Sequence, residues 1–266
     1  VKSCRMVIGL TTILAVAACG RADVGRTTLH ANGSTTAPRS GVEGELLVSA
    51  AASLTDAFGG ITLAFEAANP GVDVILNLGG SSSLREQILE GAPIDVFASA
   101  NTSNMDQIVD AGEVAGEPEI FARNILRIAV PAGNPAGVTG LEDFSRDELL
   151  IGLCAEDVPC GAFAREALHR AGVMPALDTN EPDVRALLTK IEAGELDAGI
   201  TFVTDVASAG DAVDGVDIPE DENAVASYPI AVLANAPNSD AAIAFVAFVL
   251  SADGQAILGR HGFLSP

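Results

Sequence analysis

The chain has 266 residues, room for one large or two modest domains, and is 48% apolar but 4% aromatic, so its core has to be built from Ala, Val, Leu and Ile. Its 36 acidic residues against 14 Lys and Arg leave a formal net charge of −22, which argues against nucleic acid and anionic membrane surfaces as partners. An anion bound by such a chain has to be held by local dipoles and shape, because the overall field repels it.

At the start, Lys2 and Arg5 precede an apolar run over residues 6–18, too short to span a bilayer, which takes about 20 residues. The run ends in Val16-Ala17-Ala18-Cys19, which resembles a bacterial lipobox. Residues 1–19 are therefore expected to be a signal peptide, with Cys19 as the lipid attachment site. The protein would sit outside the cytoplasm, held to the outer face of the cell membrane by that lipid alone. Residues 20–44, rich in Gly, Thr, Ser and Ala with no apolar period, read as a flexible tether.

From residue 46 apolar strands alternate with amphipathic helices. A strand over 46–48 precedes a helical face made by Leu54, Phe58, Ile61 and Phe65, which ends at Asn69-Pro70-Gly71. Strands over 72–78 and 94–97 follow, with helices carrying Leu84 and Ile88, then Met105, Ile108 and Val109. A strongly apolar strand covers 125–130. Beyond it come a strand over 149–153, helices over 161–170 and around residues 184–191, a strand over 198–203 and a short helix. An acidic loop over 211–222, a strand over 227–234 and helices over 239–250 and up to residue 260 complete the chain. Such alternation implies an α/β fold with mostly parallel sheets flanked by helices. The long strands near Ile125 and Tyr228 suggest two hinge crossovers between two lobes, one built from 45–124 with 228–266 and one from 125–227.

Of four cysteines, Cys4 leaves with the signal and Cys19 carries lipid, so Cys154 and Cys160 form an even pair. A disulfide between them would add about 2 kcal/mol by constraining the unfolded chain. The alternative is a metal-binding or nucleophilic thiol, but none of His30, His169 and His261 stands at ligand spacing to them.

Ligands of α/β sheets gather where strands end and helices begin. Four such junctions stand out: Ser53, Ser81, the turn Val158-Pro159-Cys160-Gly161, and Pro182-Asp183-Val184 with Pro182 expected in the first helical turn. A serine there offers a hydroxyl beside unpaired N–H groups at the positive end of the helix dipole, and facing helix starts would make an anion socket. Taken singly, each serine is equally an ordinary N-cap. Arg85, Arg165 and Arg185 sit early in helices, where they either steer an anion or pair with neighbouring acids. Asp95 and Asp205 read as turn or cap residues.

The segments Ala50-Ala51-Ala52-Ser53-Leu54, Ser81-Ser82-Ser83-Leu84, Gly91-Ala92-Pro93-Ile94-Asp95-Val96-Phe97-Ala98-Ser99-Ala100, Asp157-Val158-Pro159-Cys160-Gly161 and Asp183-Val184-Arg185 run in an order and spacing that resembles the molybdate-binding proteins of ABC importers. The resemblance covers residues 46–266, and the cysteine pair is similar to that of actinobacterial members. It implies a two-lobe periplasmic-binding fold of type II that closes on molybdate or tungstate, with no cofactor, no catalytic residue and molybdenum present only inside the bound oxyanion. By the same likeness Ser53 and Ser81 each supply a hydroxyl and a backbone N–H, and Cys160 and Val184 supply backbone N–H groups. Phe202 stands where the family commonly has a tyrosine that donates to the oxyanion; Thr201 and Thr204 are the candidates to compensate. The implied partners are an ABC permease and its ATPase, and a monomer is expected.

A site made of donors satisfies a fully deprotonated dianion such as molybdate, tungstate or sulfate, whereas the proton of hydrogen phosphate needs an acceptor. Another tetrahedral oxyanion, such as sulfate, or a sensor without transport are the alternatives within this fold. A thiol hydrolase using Cys160 at a helix start is the alternative from outside it.

Overall fold

In the computed structural model, which describes residues 41–266, the chain begins with β1 (Gly44–Ala51), α1 (Thr55–Ala68), β2 (Val72–Gly79), α2 (Ser81–Leu89), β3 (Val96–Ala98) and α3 (Thr102–Asp110). The expected signal segment, the lipid site Cys19 and the tether up to residue 40 lie outside the described residues. The second run comprises β4 (Glu119–Pro131), β5 (Ile151–Cys154), α4 (Pro159–Arg170), β6 (Thr179–Glu181), α5 (Val184–Glu192), β7 (Ala198–Phe202), α6 (Val203–Ala209) and β8 (Val213–Asp217). Then β9 (Val225–Val232), α7 (Ser239–Leu250) and α8 (Ala252–Arg260) follow. The α/β alternation expected from the sequence is present.

The strands run in the order β2-β1-β3-β9-β4-β7-β5-β6, with β8 also paired to β4. Parallel pairs build the outer parts, β2-β1-β3 in one half and β7-β5-β6 in the other. Antiparallel pairs, β3 with β9 and β4 with β9, β7 and β8, join them in the middle. Strand β4 belongs to both halves: Glu119 to Ile125 pair with β9, whereas Leu126 to Pro131 pair with β7 and β8. The crossing therefore falls between Ile125 and Leu126. The returning chain passes between β8 and β9.

Helix α1 buries Phe58, Ile61 and Phe65 as its apolar spacing requires. Phe245 of α7 meets Phe58 and Phe65 edge-on, at centroid distances of 6.1 and 5.2 Å, so the C-terminal helices return to cover the first half. Val213–Asp217 forms a strand within the stretch expected to be an acidic loop, and Thr179–Glu181 forms a short strand where no element was expected. In β8 the acidic residues mask the apolar signal; β6, at the sheet edge, is three polar residues long, and its Glu181 is buried and paired with Lys190.

At the crossing, the Asn223 side chain imitates a strand neighbour. Its Oδ1 accepts from the Leu126 N–H at 3.0 Å and its Nδ2 donates to the Leu126 carbonyl at 2.9 Å. Its own carbonyl accepts from Arg170. Replacing Asn223 with Ala leaves two buried backbone groups of β4 unpaired, so Asn223→Ala is expected to lower unfolding stability by about 1–3 kcal/mol. Urea denaturation measures this, and a change within error would show that the amide pairing contributes nothing.

Candidate functional site

Each sequence-predicted site residue lies at a strand-to-helix junction. Ser53 occupies a single 3-10 turn, Ala52–Leu54, between β1 and α1, and Ser81 is the first residue of α2 after Gly80. Neither serine caps its helix, so the ordinary N-cap role does not apply. Instead Ser81 Oγ accepts from the Ala100 N–H at 3.0 Å, which leaves its own hydrogen to be donated elsewhere.

In the second half, α4 starts with Pro159 after Val158, so its first turn brings the N–H of Cys160 without an intrahelical acceptor. Cys160 is joined to Cys154 by a disulfide, which removes the free thiol that a hydrolase would require. The turn is tightly folded. A Cβ on Gly161 would strike the carbonyl oxygens of Cys154 and Ala155, and Arg165 donates to the Cys154 and Gly161 carbonyls at 2.8 and 3.0 Å. Val184 opens α5. Pro182 lies one residue before the cap, outside the helical turn expected for it. The cap is Asp183, whose Oδ1 takes the N–H groups of Arg185 and Ala186 at 2.8 and 2.9 Å and leaves that of Val184 over.

These junctions meet. Ser53, Ser81, Cys160, Val184 and Phe202 all line one cavity, together with Gly80, Ala100 and Asp183 among others. About 10 Å³ is open there to the centre of a water molecule, about the room that one water needs, so the two halves stand close together around it. Gly80 permits the close approach of the two halves, since a Cβ there would lie 2.7 Å from the Pro182 carbonyl oxygen.

Among the described residues, no Lys, Arg or His lines the cavity. Arg85 pairs with Asn104 and Glu86, Arg165 holds the disulfide turn, and Arg185 pairs with Asp56 and Ser208. Asp95 accepts from the Leu47 N–H at 2.8 Å and the Asn238 N–H at 2.6 Å, which makes it a staple between β1 and the start of α7, away from the cavity. Among the described residues there is no group of three or more His, Cys, Asp and Glu placed to hold a metal ion.

Phe202, at the end of β7, is buried against the cavity with no hydroxyl to offer. The two threonines considered as substitutes do not line it. Thr201 is buried with its Oγ1 unpaired among the described residues, and Thr204 accepts from Asn124 Nδ2 at 2.8 Å. What reaches the site is a residue that the sequence reading missed. Tyr228 of β9, 0% exposed, places its hydroxyl 3.0 Å from Ser53 Oγ. Its ring lies edge-on to Phe202, Phe121 and Phe263. The available signal was that Tyr228 is the one tyrosine in the chain, set in an apolar strand where its hydroxyl has to find a partner.

Residues 46–264 match the family model described as bacterial extracellular solute-binding protein. The chain belongs to that family. It is 40% identical over 221 residues to the molybdate-binding protein ModA of Mycobacterium tuberculosis, covering 83% of this chain and 85% of that one. It is 35% identical over 235 residues to ModA of Escherichia coli, covering 83% and 89% respectively. Among solved structures, the periplasmic molybdate-binding protein of Azotobacter vinelandii shares the fold with a TM-score of 0.73 and 17% identity, over 83% of this chain and all but 1% of the other, 99% being covered.

In this solute-binding protein the buried charge lies behind the cavity. Asp205, at the start of α6, accepts from the Phe202 N–H at 3.1 Å, and Arg185 Nε stands 4.0 Å from its other oxygen. Burial raises the Asp205 pKa to about 7, against the opposing pull of Arg185 and of the Phe202 hydrogen bond. Arg185 also reaches Asp56 of α1, so one guanidinium spans both halves; at 29% and 46% side-chain exposure that pair contributes about 0–1 kcal/mol.

Because the folded pKa of Asp205 lies above its ordinary value of 3.8, the stability it confers is fully present below about pH 4 and is lost as pH rises through about 7. Asp205→Asn removes that loss while keeping an acceptor for Phe202. The melting temperature of the variant minus that of the wild type should therefore grow between pH 5 and pH 8. A difference independent of pH would show that Asp205 does not titrate in this range.

Proposed function

We propose that this protein captures molybdate, or its close analogue tungstate, outside the cytoplasm and delivers it to an ABC permease driven by an ATPase. The observation that carries the reading is the meeting of Ser53, Ser81, Cys160, Val184 and Phe202, drawn from both halves of the sheet, around one small cavity without a cationic side chain. First-turn N–H groups and serine hydroxyls supply donors there, and the dipoles of α2, α4 and α5 favour negative charge. The 40% identity to a molybdate-binding protein supports the choice of guest.

In this reading Ser53 and Ser81 each give a hydroxyl and an N–H, Cys160 and Val184 give N–H groups, and Phe202 shapes the wall. Asp183 brings a carboxylate to the rim, but its Oδ1 is committed to the α5 cap, which lowers its power to repel an anion. Donors alone satisfy a dianion with no proton, so hydrogen phosphate is rejected. A guest touching both halves favours their closed arrangement by its binding free energy, and the sheet crossing at Ile125/Leu126 with the return before Val225 provides the hinge.

Molybdate and tungstate are expected to raise the melting temperature of the protein comprising residues 41–266, and hydrogen phosphate to leave it unchanged. Calorimetry on Ser53→Ala/Ser81→Ala should show molybdate affinity weakened at least 100-fold, since two hydrogen bonds to a charged guest contribute about 1.5–3 kcal/mol each. Unchanged affinity would remove both serines from the site. The Cys19 anchor predicts that cells expressing the full chain incorporate labelled palmitate into it and that Cys19→Ser abolishes the label; label retained by the variant would refute lipidation at that residue.

A further inference from the structure

Tyr228 lies outside the cavity wall yet touches the one serine hydroxyl whose direction the site leaves open. Ser81 Oγ is already committed as acceptor to the Ala100 N–H, so its hydrogen can point at a guest. No backbone N–H fixes Ser53 Oγ in the same way; its recorded partner is the Tyr228 hydroxyl at 3.0 Å. Either oxygen could donate, and the surroundings decide which does.

Burial sets the direction. Tyr228 is 0% exposed, and among the described residues its hydroxyl has Ser53 Oγ as its hydrogen-bonded neighbour. With Ser53 as donor, the Tyr228 hydrogen would be left without an acceptor in a fully buried environment. With Tyr228 as donor, both hydrogens have a destination: that of Tyr228 goes to Ser53 Oγ, and that of Ser53 is left for the cavity that Ser53 lines. Burial pushes the Tyr228 pKa upward, so the phenol keeps the proton that this arrangement needs.

We infer that Tyr228 is a positioning and specificity residue: by donating to Ser53 Oγ it occupies one of that oxygen's two lone pairs and turns the serine's own hydrogen toward the oxyanion. The inference rests on the oxyanion reading of the site. It gives a physical role to a hydroxyl on β9 in a chain whose β7 presents Phe202. The consequence is selectivity. A Ser53 whose oxygen already accepts from Tyr228 and whose hydrogen faces the guest is a weaker acceptor for the proton of hydrogen phosphate than a Ser53 free to rotate.

The test is calorimetric titration of molybdate and of phosphate into the wild type, Tyr228→Phe, Ser53→Ala and the double variant. Tyr228→Phe keeps the ring and its edge contacts and removes one oxygen. Molybdate affinity should fall about tenfold, the effect of one hydrogen bond, while phosphate affinity is unchanged or rises, so that the ratio between the two drops at least tenfold. In the Ser53→Ala background the tyrosine change should alter neither affinity further. Equal losses for both anions, an unchanged ratio, or a full tyrosine effect without Ser53 would each overturn the inference while leaving the oxyanion reading in place. Wild-type protein that binds none of molybdate, tungstate and sulfate would overturn that reading, and this inference with it.

Discussion

The N–H groups in the first turn of a helix have no acceptor within the helix, and when they are buried something else has to supply one. Around the cavity such groups arrive from Ser53, Ser81, Cys160 and Val184 on opposite halves of the sheet. The local sequence protects this arrangement from being quenched. The two serines decline the capping role, Asp183 satisfies the N–H groups of Arg185 and Ala186 but not that of Val184, and Pro159 brings no N–H of its own. The unsatisfied donors are thus a property of the backbone, and the side chains serve to keep them free and converging.

That constraint accounts for the treatment of charge. A chain with a formal charge of −22 cannot attract an anion through its overall field, and the cations near the site are tied elsewhere. Arg165 clamps the disulfide turn, Arg85 meets Asn104, and Arg185 is held between Asp56, Ser208 and the buried Asp205. Dipoles at close range act where net charge does not, because the field of a helix end falls off within a turn and is strong only in a site that excludes water. The same short range demands rigid placement. The Cys154–Cys160 disulfide, the absence of a side chain at Gly161 and the Asn223 pairing at the crossing all hold backbone rather than side chains in place.

Much of the fold could be read from residue patterns where burial is one-sided. The face of Leu54, Phe58, Ile61 and Phe65 identified α1, and the boundaries of α7 at Ser239 and Leu250 were anticipated in full, because an N-terminal polar cluster and a long apolar run bracket it. Strands β6 and β8 escaped notice since both are short and rich in polar or acidic residues, even where, as at Glu181, the side chain is buried in an ion pair. The first half of β4 was hidden as well: Glu119, Arg123 and Asn124 interrupt its apolar pattern, although its backbone pairs with β9 on both sides of an irregularity at Phe121. For the site, the ordered junction motifs pointed to Ser53, Ser81, Cys160 and Val184, and the family resemblance to Phe202; all of these line the cavity, with other residues beside them. The compensating hydroxyl was sought in Thr201 and Thr204, close in sequence to Phe202, but the hydroxyl that touches a cavity residue is that of Tyr228, 26 positions further along, on β9, which is separated from β7 by β4.

Periodicity, turn residues and junction serines are local properties, and they suffice to establish the α/β alternation, the helix starts and the cysteine pair, because each depends on neighbours a few residues away. Which junctions face one another is a matter of sheet order, and that order places β4 and β9 between the two parallel sets through pairings of residues about 100 apart. The direction of a single hydroxyl at Ser53 is more remote still. It depends on Tyr228 of β9, 175 positions along the chain, and a hydrogen bond between side chains leaves no periodic trace in a linear sequence.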